Sequence, residues 1–402
     1  VRHLQQAPPM PHHTQWNVQH NRRALVPIVV MVAMAIVAMM LVALSAVTMG
    51  IDVAVVATGL AFLPVIPIAM LFLWIDRWEP EPGRMLLAAF LWGASIAIVA
   101  AVIGSLLFNL TWMAVLPTSN ELALSLSITA PVVEEVCKGL FLVWLFWFRR
   151  REFDGVVDGI VYAGLVGLGF AFTENIFYLS AALREEGLEG GLVLFILRCV
   201  MSPFAHPLFT VMFGIGLGLA VQSRYKSVKV LAPVVGLVLG MVLHGLWNGS
   251  TLILDGVGFL YVYALVMIPT FVATIVLVVW QRRRLQKVVA RQLPAMVSAQ
   301  LIPPHEVPHL ACLVSRGRWR EHVRRQYGSE VEKGLRDYHA VVTEIAILFD
   351  RIERGAIGDG QEKLKEELFA GLYEVKARAR NYPAALSAAS KTVNHPNPYL
   401  RT

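Results

Sequence analysis

Charge is scarce in this 402-residue sequence: 16% of its residues are Asp, Glu, Lys or Arg, against 56% apolar. That balance lies well beyond an ordinary soluble domain and makes a membrane protein the starting expectation. Cysteine is scarce too. Cys137, Cys199 and Cys312 have no paired spacing, which excludes a disulfide framework and a Cys-ligated zinc site. The one H-E-x-x-H run, His305 to His309, lies after the apolar blocks and carries a proline, so no such zinc-peptidase signature falls within them. A cleavable signal peptide is not expected either: the first apolar block, Leu25 to Met49, is too long for a signal core and a second block follows at once. No repeat relates the two halves, which argues against a proton-coupled transporter built from duplicated bundles.

What is present is a series of long apolar blocks between Ala24 and Trp280. Eight can cross a hydrocarbon core of about 30 Å, which takes roughly 20 helical residues. They fall near 25–49, 53–75, 85–108, 123–148, 156–182, 192–221, 230–253 and 257–280. In lipid the backbone must satisfy itself, so these are predicted helices. The loops set their direction, because Lys and Arg collect on the cytoplasmic side. Arg22 and Arg23, Arg77 and Arg84, Arg149 to Arg151, Arg224 with Lys226 and Lys229, and Arg282 to Arg284 mark every second loop. The alternate loops are poor in basic residues, so both termini are expected in the cytoplasm. Within the sixth block, Arg198, Pro203, His206 and Pro207 predict a bent or re-entrant span, since proline removes a backbone donor.

The expected fold is therefore all-α, a polytopic bundle of eight transmembrane helices with a C-terminal cytoplasmic helical hairpin. Residues 1–23 form a Pro/Gln-rich disordered arm, 24–280 the membrane domain, 281–380 a helical extension and 381–402 a disordered tail. The segment after Trp280 carries 21 Lys/Arg against 13 Asp/Glu, so the whole excess of the net charge of +7 lies there. A basic segment beside a membrane suits anionic lipid; no aromatic-interleaved motif points to nucleic acid. Glu321 to Glu353 and Gln361 to Arg380 show helical apolar spacing, as in Val331, Leu335, Tyr338, Val342 and Ile345, with a turn at Gly355 to Gly360. Such an extension suits docking to a cytoplasmic partner.

An ionisable group near the centre of a bilayer costs at least about 2.5–3.5 kcal/mol, so each one needs a partner or a purpose. The fourth span carries Glu134, Glu135 and Lys138. Glu134 and Lys138 are four apart and can pair on one helix face, with Glu135 pointing about 100° away. Two adjacent buried carboxylates resist ionising together, which prepares an acid and a base. The fifth span has Glu174 after the small residues Ala163, Gly164, Gly167 and Gly169, which allow close helix approach. His206 lies in the broken sixth span, and His244 and Asn248 share one face of the seventh. Rises of about 1.5 Å per residue put these groups at one level, in the outer half of the membrane or at its midplane.

Peptide hydrolysis needs a base for water, a donor for the oxyanion and an acid for the leaving amine, and Glu, His and Asn supply all three. Glu134, Glu174, His206 and His244 could instead hold a divalent metal such as zinc. Glu-Glu-x-x-Lys at Glu134 to Lys138, Phe-x-x-x-Glu at Phe170 and Glu174, His206 in its own span, and His-x-x-x-Asn at His244 and Asn248 resemble the four motifs of PrsW-type intramembrane proteases. The loop from Asp76 to Pro82 is similar too. That family is related to the CAAX-prenyl endopeptidases, in which a His usually stands where Glu174 is. The resemblance implies an endopeptidase of the bacterial plasma membrane making the first cut in a membrane-anchored protein such as an anti-sigma factor. It implies Glu134 with Glu174 as the water-activating pair and His244 with Asn248 as oxyanion holders. Glu135, Lys138 and His206 would orient or ligate. The competing readings are a non-catalytic membrane scaffold or receptor and, behind it, a proton-coupled transporter.

Overall fold

A computed structural model describes residues 25–354, except 79, 116–119, 150–151 and 254–256, together with 366 and 368–372. The expected N-terminal arm, the 355–360 turn and the 381–402 tail lie outside the described residues. Among the described residues every regular element is helical. The chain forms two compact units, one of residues 18–76 with 81–278 and one of 77–80 with 279 onward.

In the first unit the chain runs through α1 (Leu25–Met49), α2 (Ile51–Phe62), α3 (Val65–Ile75), α4 (Gly83–Trp92), α5 (Ile98–Val115), α6 (Glu121–Leu124), α7 (Ala130–Phe148), α8 (Val156–Glu185), α9 (Gly187–Phe195), α10 (Ala205–Gln222), α11 (Lys226–Ser250) and α12 (Val257–Val262). α13 (Ile268–Ser298) follows, and the division between units falls within it. Among the described residues, seven helical segments are long and apolar enough to cross a membrane: Pro27–Met49, Ile51–Ile75, Gly83–Thr111, Val156–Glu185, Gly187–Gln222, Lys226–Ser250 and Val257–Ser298. This is an integral membrane protein. The segment expected at 123–148 is helical as well, but Glu134, Glu135 and Lys138 keep it outside that apolar set.

One helix organises the unit. The most apolar window of α8 is 89% buried inside the protein, whereas that of α1 is only 11% buried. A helix whose outer face is apolar faces lipid; one buried all round is the core that the others surround. Glycine makes this possible. A Cβ on Gly159 would lie 2.1 Å from the carbonyl oxygen of Gly214 in α10, and a Cβ on Gly214 would lie 2.1 Å from that of Gly159. The two backbones touch, as in small-residue helix pairs of membranes. Leu165, Val166, Leu208, Phe209 and Met212 fill the space beside this seam.

The bend expected in the sixth span is present. α9 passes into a π-helical turn at Ile196–Met201, leaves helical geometry at Ser202 and restarts as α10. Pro207 sits in the first turn of α10, where its missing N–H has no helical partner to lose. Further π-helical turns lie at Gly93–Ala97, Ser125–Thr129 and Tyr263–Met267. Such turns are rare and concentrate at functional sites.

The loop after α3 is fastened from both sides. The Glu81 N–H donates to Asp76 Oδ2 (2.9 Å), and the Tyr162 hydroxyl donates to Glu81 Oε2 (2.8 Å). Burial is the main force raising the Asp76 carboxyl to about 7 and that of Glu81 to about 10, with the charge of Asp158 adding to the latter. Glu81 is thus held protonated at neutral pH, whereas Asp76 titrates there.

In the second unit, α14 (Val307–Leu310), α15 (Leu313–Tyr327) and α16 (Ser329–Glu353) close over a core containing Val289, Leu293, Met296, Leu310, Trp319 and Leu335. The apolar stripe Val331, Leu335, Tyr338, Val342 and Ile345 is buried in it, as its spacing predicts. The continuous helix expected from Glu321 to Glu353 is instead broken at Gly328, whose φ of 86° belongs to the left-handed region. Glycine adopts that conformation without a Cβ penalty and ends α15. Of the second hairpin arm, Gln361 to Arg380, few residues are described; Phe369 and Leu372 among them are buried.

Candidate active site

The site is assembled from helices far apart in sequence. α7 begins immediately after the π-helical turn Ser125–Thr129, with Pro131 in its first turn. Proline offers no N–H to the carbonyl of Ser127, four residues back. That carbonyl lies against Gly245 of α11, where a Cβ would come within 2.4 Å. α11 therefore approaches α7 closely beside His244. On the other side, a Cβ on Gly167 of α8 would lie 2.6 Å from the His206 carbonyl oxygen, so α10 is drawn against α8 where His206 begins its helix.

Lys138 stands at the centre and is fully buried. Its Nζ donates to Glu135 Oε1 (2.8 Å) and Glu134 Oε2 (3.2 Å), and lies 3.1 Å from His206 Nδ1. The i, i+4 pair with Glu134 is the one its spacing predicts. Glu135, expected to point away, joins through i, i+3 instead, because the long lysine side chain reaches both positions. The ammonium also lies 3.9 Å from the centre of the Phe170 ring, a cation–π contact in a dry setting.

The two carboxylates differ in how they are held. Glu135 is 2% exposed and satisfied on both oxygens: His244 Nδ1 lies 3.0 Å from Oε1, and the Thr210 hydroxyl donates to Oε2 (3.0 Å). Glu134 is 12% exposed, and its Oε2 is 3.7 Å from His244 Nε2. A carboxylate only accepts, so the His244 proton sits on Nδ1 and the lone pair of Nε2 is left facing Glu134.

His206 joins this group to the next. Its Nε2 lies 2.7 Å from Glu174 Oε2, and the same oxygen takes Arg198 Nη2 at 2.5 Å. With Lys138 donating to Nδ1 and Glu174 accepting from Nε2, His206 is a neutral imidazole. Its ring meets that of His244 edge-on at 5.0 Å, and Phe209 stacks on His244 at 4.7 Å.

The side chains of Glu134, Glu135, Lys138, Glu174, His206 and His244 thus form one connected network across α7, α8, α10 and α11. Asn248, one turn beyond His244, makes no side-chain hydrogen bond to that network among the described residues. Arg198 and Thr210 belong to it but were not singled out from sequence as site residues. Arg198 is an intramembrane cation in need of a counterion, and Thr210 lies one turn from His206; those were the available signals. Arg198 is further held by Asn175 Oδ1 (2.7 Å) and the Tyr178 ring (4.3 Å).

One oxygen of Glu134 and one nitrogen each of His206 and His244 lie within 4.8 Å of one another and could hold a metal ion. Ligand atoms around tetrahedral zinc stand ~3.3 Å apart, from bond lengths of about 2.0–2.1 Å, so the set fits after modest side-chain rotation. The His244–Glu135 bond is the usual support of a ligating imidazole, with the far nitrogen donating to a carboxylate. His206 would release Lys138 or Glu174 to join. Glu174, expected as a fourth donor, is engaged by Arg198 and His206 and is not in the converging set.

Fold and site together define a polytopic helical membrane protein with a buried carboxylate–imidazole centre of the kind that hydrolytic enzymes use. A family model described as PrsW family intramembrane metalloprotease matches residues 81–274, which contain every residue of that centre. The chain belongs to this family. It is 34% identical to Protease PrsW of Clostridioides difficile (strain 630) over 170 residues, 42% of this chain and 66% of that protein. It is 30% identical to Protease PrsW of Geobacillus kaustophilus (strain HTA426) over 198 residues, 48% of this chain and 77% of the relative. With Protease PrsW of Bacillus subtilis (strain 168) it shares 30% identity over 200 residues, 49% and 80% of the two chains. No solved structure matches.

Proposed function

We propose that this chain is an endopeptidase that hydrolyses a peptide bond of a membrane-anchored protein within the bilayer. The observation that carries the reading is the division of labour between adjacent carboxylates: Glu135 is saturated by Lys138, His244 and Thr210, while Glu134 keeps partial exposure beside the free nitrogen of His244. Glu134 is the general base that takes the proton of the attacking water. Glu135 fixes the His244 tautomer, and Lys138 neutralises the charge the two acids would otherwise share. Glu174, clamped by Arg198, orients His206. Asn248, at the open end of the His244 face, donates to the oxyanion.

Glu134, His206 and His244 are the residues that would hold a divalent ion, zinc being the one their chemistry suits. When bound, such an ion supplies Lewis acidity and makes water acidic enough to attack near neutral pH. The resemblance to the family supports an anti-sigma factor as the substrate, cut in a first, membrane-proximal step. The charged α7 segment is the eighth span, since its ionisable groups are matched internally and not left to lipid. With it, both termini lie on the cytoplasmic side of the bacterial plasma membrane, and the C-terminal unit is available to a cytoplasmic partner.

Reconstitution of the purified protein with a single-span anti-sigma substrate tests this. Cleavage mapped by mass spectrometry to the membrane segment, lost in Glu134→Gln with thermal stability retained, is the expected result. Equal cleavage by both proteins would remove the hydrolytic reading. Loss of folding together with loss of activity in both Glu134→Gln and Glu134→Ala would favour a network that only locks helices.

A further inference from the structure

The rim of the active-site network holds a donor and an acceptor that the network leaves unused. Arg198 sits in the π-helical turn Ile196–Met201, well inside the membrane-crossing segment Gly187–Gln222. Its Nε donates to Asn175 Oδ1 (2.7 Å), its Nη2 donates to Glu174 Oε2 (2.5 Å), and the guanidinium lies 4.3 Å from the centre of the Tyr178 ring. All three partners belong to α8, so the group is fixed along one edge and one face before any substrate arrives.

A guanidinium carries more N–H groups than these partners occupy, in a rigid planar fork. Nη1 has no hydrogen-bond partner among the described residues. Nor has Glu174 Oε1, because Arg198 and His206 both engage Oε2. Arg198 is 20% exposed and Glu174 17%, against 0% for Lys138, and neither unused atom is sealed from its surroundings. A free donor and a free acceptor therefore stand on two joined groups whose charges cancel. An anionic ligand gains little from a pair that is already neutral. Polypeptide backbone uses both halves, since one extended residue directs its N–H and its C=O to the same side.

A membrane-spanning substrate needs such a partner. Its backbone is satisfied inside its own helix, and opening that helix for hydrolysis frees N–H and C=O groups where no water replaces the lost bonds. We propose that Arg198 and Glu174 hold the backbone of the opened substrate, with Arg198 Nη1 donating to the C=O and Glu174 Oε1 accepting from the N–H of one extended residue, as a strand edge does. The proposal rests on the endopeptidase reading. Glu174 Oε2 lies 2.7 Å from His206 Nε2, and a His206 nitrogen lies within 4.8 Å of a Glu134 oxygen. At about 3.3–3.6 Å per extended residue, the held residue falls within about three positions of the bond that is cut. Ile196 and Val200, two positions to either side of Arg198, are exposed and offer apolar surface to the neighbouring substrate side chains.

The test measures binding of a single-span substrate peptide to the full chain in nanodiscs, made inactive by Glu134→Gln, by fluorescence anisotropy. Peptides carry an ester in place of one amide at successive positions through the span, which removes one N–H at a time. We expect one position, within three residues of the cleaved bond, where the ester weakens binding about tenfold, the worth of a hydrogen bond to a charged group. Arg198→Lys keeps an ion pair with Glu174 but lacks the second N–H edge. It should weaken binding of the all-amide peptide about tenfold and shrink the ester penalty at that position. In the protein with Glu134 intact, it should raise KM by a similar factor and leave kcat nearly unchanged. Binding that tolerates the ester at every position, or an Arg198→Lys protein that binds and cleaves as the parent does, overturns the proposal. Should Arg198→Lys fail to fold, the ester series on the unaltered pair decides alone. An ester-sensitive position without cleavage by the parent protein would uphold the backbone contact and remove the hydrolytic reading.

Discussion

Nδ1 of His244 lies 3.0 Å from Oε1 of Glu135, a bond between residues 109 positions apart. It fixes which nitrogen of the imidazole faces Glu134, so it controls the chemistry without touching a substrate. Glu135→Gln should keep the shape but remove the charge that holds this tautomer. Supporting carboxylates of this kind are worth roughly 10–100-fold in metal affinity or activity. A drop of that size in kcat/KM, with weaker zinc binding by calorimetry, is expected, together with a lowered Tm because Lys138 loses a buried counterion. Unchanged zinc affinity would mean that His244 is oriented by Phe209 packing alone.

Glu134→Gln and His244→Gln should differ from Glu135→Gln in kind. A general base contributes typically 10²–10⁴-fold, so Glu134→Gln should lower kcat at least that far and leave KM nearly unchanged. Single-turnover cleavage of a fluorogenic membrane peptide separates the two constants. A loss confined to KM would assign Glu134 to substrate binding.

Gly167 tests the packing that delivers His206. A Cβ there would lie 2.6 Å from the His206 carbonyl oxygen, which is backbone and cannot swing aside. Gly167→Ala should therefore push α10 from α8, lowering Tm and activity together, with a cost of about 1–3 kcal/mol from overpacking. Gly317→Ala, where a Cβ meets nothing within 4 Å, is the matched control and should be silent in activity. Equal behaviour of the two variants would show that the α8–α10 seam is not tight.

The acids of the loop after α3 give a pH dependence whose sign follows from burial. Asp76 is raised to about 7 and Glu81 to about 10, so the folded protein holds protons that the unfolded chain releases near pH 4. Where the native state binds more protons, stability falls as pH rises. This contribution is complete below about pH 4 and declines from there up to the folded values. Glu81→Gln, which keeps an acceptor for Tyr162, should flatten the fall in Tm between pH 6 and pH 9. An identical pH profile in the variant would place the titrating group elsewhere.

Much of this was legible in the sequence for a simple reason: lipid makes every buried charge conspicuous. Glu134, Lys138, Glu174, His206 and His244 stand out against apolar runs, and their helices converge on one network. The same logic applied to Arg198 would have named the partner of Glu174, but its place beside Pro203 made it read as part of a break. Thr210 could not be distinguished from threonines that bond only their own helix, as Thr58 does with Ala54. The π-helical turns have no composition of their own, and they shift side-chain phase by one residue where periodicity would continue unbroken. Gly328 was readable in principle, yet the apolar spacing on both sides of it concealed the break between α15 and α16.

Asn248 is where sequence spacing and three-dimensional contact separate, and the final prediction rests on that separation. It shares a helix face with His244, but its side chain takes no part in the hydrogen-bonded network among the described residues. A residue that only braced the network would need such bonds, and its removal would lower Tm. An oxyanion donor needs none until the substrate carbonyl becomes tetrahedral, and its removal should lower kcat by about 10²–10³ while leaving KM and stability alone. Asn248→Ala, compared with wild type by kcat, KM and thermal melting in the same reconstituted assay, decides between them. A fall in Tm with proportionate loss of activity assigns Asn248 to packing, and full activity assigns it no part in the reaction.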